Sequence, residues 1–218
     1  MTLVRLVILG RQGAGKGTQC AFLSVRYGVA HISTGDMLRD EVSEGTELGR
    51  LAKLIMDRGE LVPDEVMVGI VDHRLHHRDA LERGFLLDGF PRTVGQAEQL
   101  LGIVGTGGLD LAINLNVPRE VVLSRIAGRR ICGNCGAIYH VDAPPTRPWV
   151  CDVCGGPVTQ RDDDREDAVQ QRLELYEQET APLIAWFDER GLMANVDGLG
   201  EADEVAERMF AVVDKVVR

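Results

Sequence analysis

The chain has 218 residues, of which 44% are hydrophobic and 27% charged, and it carries a net charge of −10. That size and apolar share support one sizeable unit with inserted lobes and a core that needs no disulfide staples. The acidic balance argues against a general nucleic-acid binder, which shows a basic face, but not against a small anion held by local arginines.

The first element is an apolar run of strand length, residues 3–9. It leads straight into glycines with no small-residue cleavage site, so it reads as a buried strand and not as a signal peptide. No apolar run reaches the roughly 18 residues that a membrane span needs. The expected location is therefore the cytoplasm.

Next comes Gly10-Arg11-Gln12-Gly13-Ala14-Gly15-Lys16-Gly17-Thr18. A glycine-rich stretch between a strand and a helix is the setting a phosphate loop requires. Glycines let successive backbone N–H groups point at one anion, and the following helix adds its positive end. Lys16 is placed to reach the β- and γ-phosphates. A plain glycine-rich turn explains four glycines in eight residues together with Lys and Thr poorly. In the common GxxxxGK[ST] pattern the hydroxyl residue follows the lysine directly. Here Gly17 intervenes, so Thr18 is not expected to ligate magnesium.

Further along, Gly84–Asp88 and residues 111–117 and 192–196 read as short strands, with Pro118 opening a helix after the second of these. A last helix is predicted over 201–217, with Val205, Met209, Val212, Val213 and Val216 on one face. Short apolar strands between amphipathic helices imply an α/β fold, a parallel sheet covered on both sides. Two regions interrupt that rhythm: residues 34–63, polar and helical, and residues 126–164, rich in turn residues. They are read as inserts in a core of residues 1–33, 64–125 and 165–218.

The second insert holds Cys132-x2-Cys135-x15-Cys151-x2-Cys154. This is zinc-ribbon spacing, and four thiolates fill a tetrahedral zinc with no open position, so the site is structural. Two disulfides or free thiols are the alternatives, and iron fits the same ligands. His73, His76 and His77 read as a solvated helical face.

The segments Gly13-Ala14-Gly15-Lys16-Gly17-Thr18-Gln19, His31-Ile32-Ser33-Thr34-Gly35-Asp36-Met37-Leu38-Arg39 and Phe85-Leu86-Leu87-Asp88-Gly89-Phe90-Pro91-Arg92-Thr93 resemble those of adenylate kinases. So do Gly128-Arg129-Arg130, the cysteine-bearing segment, Arg161 and Arg172, in that order. Gly17 after the lysine is the form the loop takes in nucleoside monophosphate kinases. The resemblance implies a P-loop core, an AMP-binding insert and a lid that closes over ATP, with the reaction ATP + AMP ⇌ 2 ADP. It assigns Gly13, Ala14, Gly15, Lys16, Gly17, Thr18, Arg125, Arg129, Ile138, Tyr139 and Gly200 to ATP. To AMP it assigns Thr34, Arg39, Glu60, Leu61, Val62, Gly89, Phe90, Pro91, Arg92, Gln96, Arg161 and Arg172. One departure is Gln12, where the family usually has proline.

Phosphoryl transfer needs in-line positioning and positive charge more than covalent chemistry. Lys16, Arg39, Arg92, Arg129, Arg161 and Arg172 could supply that charge, and of these Lys16, Arg92, Arg129, Arg161 and Arg172 are the expected catalytic set. Arginine's planar fork suits phosphate oxygens. Between the adjacent Arg129 and Arg130, the resemblance favours Arg129. Arg5, Arg11 and Arg165 read as surface charges. Asp88, ending an apolar strand, is expected to act on Mg²⁺ through water, or else to cap nearby backbone. The expected cofactors are Mg²⁺ with ATP and a structural Zn²⁺, and the chain is expected to be a monomer without nucleic-acid or membrane partners. The alternatives are a related kinase with another donor or acceptor base, and a zinc-ribbon binding protein with a vestigial loop.

Overall fold

The computed structural model describes residues 3–161 and 164–217. Residues 1, 2 and 218 of the expected core, and 162 and 163 of the expected lid, lie outside the described residues.

Five parallel strands form the central sheet: β1 (Val4–Leu9), β2 (Ala30–Ser33), β3 (Gly84–Asp88), β4 (Leu111–Asn116) and β8 (Met193–Asp197), in the order β2-β3-β1-β4-β8. The three intervening strands, β5 (Arg129–Cys132), β6 (Ile138–His140) and β7 (Val158–Thr159), make a separate antiparallel sheet, order β6-β5-β7. The predicted strands at 3–9, Gly84–Asp88, 111–117 and 192–196 correspond to β1, β3, β4 and β8, with ends within one residue. β2 and the whole second sheet were not foreseen. β2 has four residues and alternates buried with half-buried positions, so it shows no apolar run.

β1 explains why the sheet is covered on both faces. Its side chains alternate, Leu6 and Ile8 to one side, Val7 and Leu9 to the other, and all four are buried. Leu6 and Ile8 pack with Cys20 and Leu23 of α1 (Lys16–Tyr27), Val122 and Ile126 of α7 (Arg119–Gly128) and Met209 of α10 (Ala202–Val213). Val7 and Leu9 join Leu87, Phe90, Leu100 and Phe187 on the opposite face. There lie α4 (Asp64–Leu75), α5 (Arg78–Arg83), α6 (Val94–Val104) and α9 (Pro182–Asp188). A near-continuous apolar strand is what burial on both faces demands.

Connections from β1 run first to one side of the sheet, toward β2 and β3, and later to the other, toward β4 and β8. The chain reverses direction across the sheet at β1, and ligands of open α/β sheets bind at the carboxyl ends of strands at such a point. The glycine loop leaves β1 there, with Asp88 at the end of neighbouring β3 and Asn116 at the end of β4.

Two excursions overhang that edge. α2 (Thr34–Glu44) and α3 (Glu47–Asp57) form a helical hairpin, each started by a hydroxyl cap: Ser33 Oγ accepts from Asp36 N–H, and Thr46 Oγ1 from Gly49 N–H. The small antiparallel sheet follows α7, whose last turn takes in residues 126–128. α8 (Glu166–Leu175) then returns the chain to the core through one π-helical turn, Tyr176–Thr180. α10 ends at Val213, four residues before the predicted limit. Val216 continues the apolar spacing but is 44% exposed, so no packing carries the helix that far.

Candidate active site

The loop after β1 folds as its glycines allow. Gly10, Gly13 and Gly15 take φ of 146°, 80° and 98°. Gly13 is the tightest of the three. A Cβ there would sit 2.6 Å from Ile126 Cγ1 and 2.9 Å from the Val122 carbonyl, so α7 packs directly under the loop. Lys16 starts α1 and bends back to donate Nζ–H bonds to the carbonyls of Gly10 (2.8 Å) and Arg11 (3.1 Å). Burial pulls its pKa below the usual lysine value. Asp88 counteracts this, while Arg92 and Arg129 add to it.

A cleft of about 1340 Å³ opens above the loop. Sites for one drug-sized ligand run to roughly 1,000 Å³, so this one has room for more. Seven basic residues line it: Lys16, Arg39, Arg92, Arg125, Arg129, Arg161 and Arg172. The six expected phosphate cations all lie among them, although sequence separations reach 156 residues. Arg5, Arg11, Arg130 and Arg165 do not line the cleft. Arg130 lies over the Trp149 ring at 5.9 Å, and Arg11 pairs with Glu177 at 2.7 Å. His73, His76 and His77 are exposed, away from the cleft.

The cations are held by the walls. Arg92 donates Nε–H to the Gly89 carbonyl at 2.8 Å, and Thr180 Oγ1 donates to the Arg92 carbonyl at 2.9 Å. Burial is the main reason its pKa falls to about 10, with Arg172 the next cause. Arg39 pairs with Asp36 one helical turn earlier. Arg172, on α8, donates to the Met56 carbonyl of α3 at 3.2 Å and so ties the hairpin to the core. Arg125 donates to the carbonyls of Ala14 (3.1 Å) and Gly198 (3.3 Å), beneath the loop. Clustered buried cations are costly in free protein, and an anion between them relieves that cost.

Of the residues assigned to AMP by resemblance, Arg39, Glu60, Leu61, Val62, Gly89, Pro91, Arg92, Gln96, Arg161 and Arg172 line the cleft. Thr34 is fully buried and donates to the Asp88 carbonyl at 3.4 Å. Phe90 is buried in the core, joined to Pro91 by a cis peptide. Gln96 is already engaged: its Oε1 accepts from Arg92 N–H at 2.7 Å and its Nε2–H donates to Asp64 at 2.6 Å. Of those assigned to ATP, Gly13 through Thr18, Arg125, Arg129, Ile138, Tyr139 and Gly200 all line the cleft.

Sequence reasoning missed Asp164. Its carboxylate is fully buried, pairs with Arg129, and accepts from Gln12 Nε2–H at 3.1 Å. It follows two other aspartates, and three in a row read as a solvated run. Nothing local marks one of them as buried.

The four cysteines converge as their spacing implies. Their sulfurs all lie within 4.8 Å of one another, with Cys132–Cys154 at 3.4 Å and Cys135–Cys151 at 3.6 Å. A disulfide would bring two sulfurs to about 2.05 Å. Four sulfurs about 2.3 Å from one tetrahedral zinc stand about 3.8 Å apart. The set therefore fits a metal and not two disulfides. Each CxxC turn is built alike. Cys132 N–H donates to Ala137 and Gly136 N–H to Cys132; Cys151 N–H donates to Gly156 and Gly155 N–H to Cys151. Gly136 and Gly155 take the left-handed φ of 72° and 74° that such turns need, whereas Gly133 and Gly156 do not.

A family profile described as adenylate kinase matches residues 8–192 of this chain. The chain belongs to the adenylate kinase family. It is similar to the adenylate kinase of Archaeoglobus fulgidus, 49% identical over 98% of this chain and 99% of that one. Similarity to the adenylate kinase of Caldicellulosiruptor saccharolyticus is 49% over 96% and 99% of the two chains. To that of Streptomyces avermitilis it is 50% over 94% of each. As a family member it is a nucleoside monophosphate kinase, a phosphotransferase that interconverts ATP plus AMP and two ADP. Among the described residues no helix is long and apolar enough to cross a membrane.

Proposed function

We propose that the cleft holds ATP and AMP with their phosphates facing each other, and that its cations lower the barrier to direct transfer between them. The observation that carries this is the convergence of seven basic residues on one cleft in a chain of net charge −10. ATP lies on the glycine loop, α1 and the lid, against Arg125, Arg129, Ile138, Tyr139 and Gly200. AMP lies against Thr34, Arg39, the backbone at Glu60, Leu61 and Val62, residues Gly89, Phe90, Pro91 and Arg92, and Gln96. The loop N–H groups and Lys16 grip the donor phosphates. Arg92, Arg129, Arg161 and Arg172 surround the moving group and stabilise charge that spreads over its oxygens. No general base is assigned.

Mg²⁺ fits the oxygen donor at Asp88, beside the loop, where it would accompany ATP and neutralise phosphate charge. Zn²⁺ fits Cys132, Cys135, Cys151 and Cys154 as a structural ion holding residues 126–164 together as a lid. Residues 34–63 form the AMP-binding insert, and the remaining segments the core. For Gln96 to read a base, its amide must leave or share Asp64. The chain acts as a cytoplasmic monomer without nucleic-acid or membrane partners.

A panel of nucleoside triphosphate donors and monophosphate acceptors tests this reading. ATP with AMP is expected to give the highest kcat/KM. Inactivity with AMP rejects it.

A further inference from the structure

We propose that Cys20, His31 and Asp88 form a second metal site, which takes a soft divalent cation such as Cd²⁺ or Zn²⁺ and thereby inhibits the transfer. The three come from α1, β2 and the end of β3, and each offers a ligand atom within 4.8 Å of the other two. They share no element with the four lid cysteines, which stand on the antiparallel sheet and its turns.

Two observations point to an ion. The Cys20 side chain is fully buried, and beside its apolar neighbours Leu6, Ile8 and Leu23 its sulfur lies within reach of a carboxylate and an imidazole. Nε2 of His31 is also buried, and it has no hydrogen-bond partner. A buried ring nitrogen left unsatisfied is costly, and ligation removes that cost.

The donor set selects the ion. Thiolate, imidazole and carboxylate are ligands of zinc-like ions, and three protein ligands leave a fourth position open. Mg²⁺ demands oxygen ligands in octahedral array and does not displace a thiol proton. A soft cation does. Its bond to Cys20 Sγ forms as the S–H bond breaks, and the proton passes to solvent. The thiolate and Asp88 then balance the two positive charges. Lys16 acts on Cys20 and Arg92 on Asp88, and both oppose a loosely held cation, while Asp88 and Asp36 favour one, so the site prefers an ion with strong sulfur affinity.

Inhibition follows from position, and this part rests on the proposed role of Asp88. An ion on Asp88 takes the carboxylate that would serve Mg²⁺ and adds positive charge beside the lysine that must grip phosphate. Mg²⁺ contests only the Asp88 oxygen and neither the sulfur nor the imidazole, so excess Mg²⁺ relieves the inhibition only in part.

The test uses the full chain with its lid already loaded with zinc. Cd²⁺ is added, and thiolate-to-cadmium charge transfer is followed in the ultraviolet alongside the forward reaction at saturating Mg²⁺. The expected result is one further equivalent of bound Cd²⁺ and inhibition that added Mg²⁺ relieves only in part. In Cys20→Ala basal activity stays, the extra absorption disappears, and the inhibitory concentration rises at least about tenfold, the scale of losing a ligand-supporting group. His31→Asn, which keeps the thiol, is expected to weaken binding similarly, and it serves if the alanine variant misfolds. Equal absorption and inhibition in wild type and both variants overturns the proposal and places the effect at the lid or on the nucleotide. Charge transfer is read without turnover, so failure of the kinase reading leaves the binding result intact and distinguishable.

Discussion

Gln12 Nε2 donates to Asp164 Oδ1 at 3.1 Å, so the phosphate loop is hydrogen-bonded to the far end of the segment proposed as the lid. The same buried carboxylate pairs with Arg129, at the near end of that segment. A proline at position 12, usual in the family that this sequence resembles, has no side-chain donor to make the first of these bonds. Ile138 of the antiparallel sheet also lies over the start of the loop's helix, where a Cβ on Gly17 would be 3.8 Å from its Cδ1. The loop and the segment proposed as the lid are thus linked by a side-chain hydrogen bond.

Gln12→Ala removes that tether and leaves the Arg129–Asp164 pair in place. A hydrogen bond to a charged group contributes about 1.5–3 kcal/mol when buried, and this one is part-buried, so the low end applies. The expected outcome is a KM for ATP raised by about fivefold to tenfold, with kcat unchanged or higher because lid opening is easier. Steady-state kinetics with each substrate varied checks it. An equal rise in KM for AMP would mean general loosening of the cleft and not loss of a lid contact.

Lys16→Met tests whether the cation serves the reaction or the fold. Removal of one transition-state contact of this kind costs about 3–4 kcal/mol, a kcat loss of roughly 10²–10³. The free protein is expected to keep its Tm, because burial and two nearby arginines already disfavour the charged amine. The measurements are a coupled ADP-formation assay and thermal melting without nucleotide. A Tm fall of many degrees would mark the Lys16 bonds to Gly10 and Arg11 as structural. Full activity would remove the lysine from the mechanism.

What the sequence made legible follows from how local each signal is. The glycine loop was legible because one motif within ten residues carries both its geometry and its chemistry. β3 was legible because Phe85, Leu86 and Leu87 are all buried, so the strand is an unbroken apolar run. β2 was not, because His31 and Ser33 interrupt it. The lid strands escaped notice because two cysteine turns, and not apolar periodicity, set their ends. The arginines were legible as a set only through family resemblance, since each alone looks like a surface charge. Asp164 and the Cys20–His31–Asp88 cluster depend on contacts between distant elements, and no local pattern encodes those.

The cysteine cluster predicts how the lid responds to metal removal. The lid's buried apolar group is small, with Cys132, Cys151 and Val158 at its centre. Such a lobe has too little core to hold itself, so metal binding is folding free energy for it. Chelation, with loss of metal confirmed by elemental analysis, is expected to lower Tm by at least about 4–8 °C, the shift for roughly 2 kcal/mol in a chain of this size. Affinity for AMP measured well below the melting range is expected to change little. Superimposable melting curves before and after metal removal would contradict a structural ion.

Tyr27 gives a prediction for alkaline pH. Its hydroxyl donates to Asp214 Oδ1 at 2.6 Å, joining α1 to the end of α10. Burial first, and the bond to Asp214 second, push its pKa from 10.0 up to about 12. The folded protein therefore keeps this proton at a pH where the unfolded chain has released it. Between pH 10 and 12 the unfolded state binds fewer protons, so stability falls as pH rises through that window. Below it the bond is intact, and its partial exposure holds its contribution to about 1 kcal/mol. Tyr27→Phe lacks the hydroxyl and its titration. Urea unfolding of both proteins from pH 8 to 12 should show the wild type ahead at the lower end and the gap closing toward the upper end. A gap that stays constant across the range would mean that the hydroxyl does not titrate with unfolding and that the link between the two helices is packing alone.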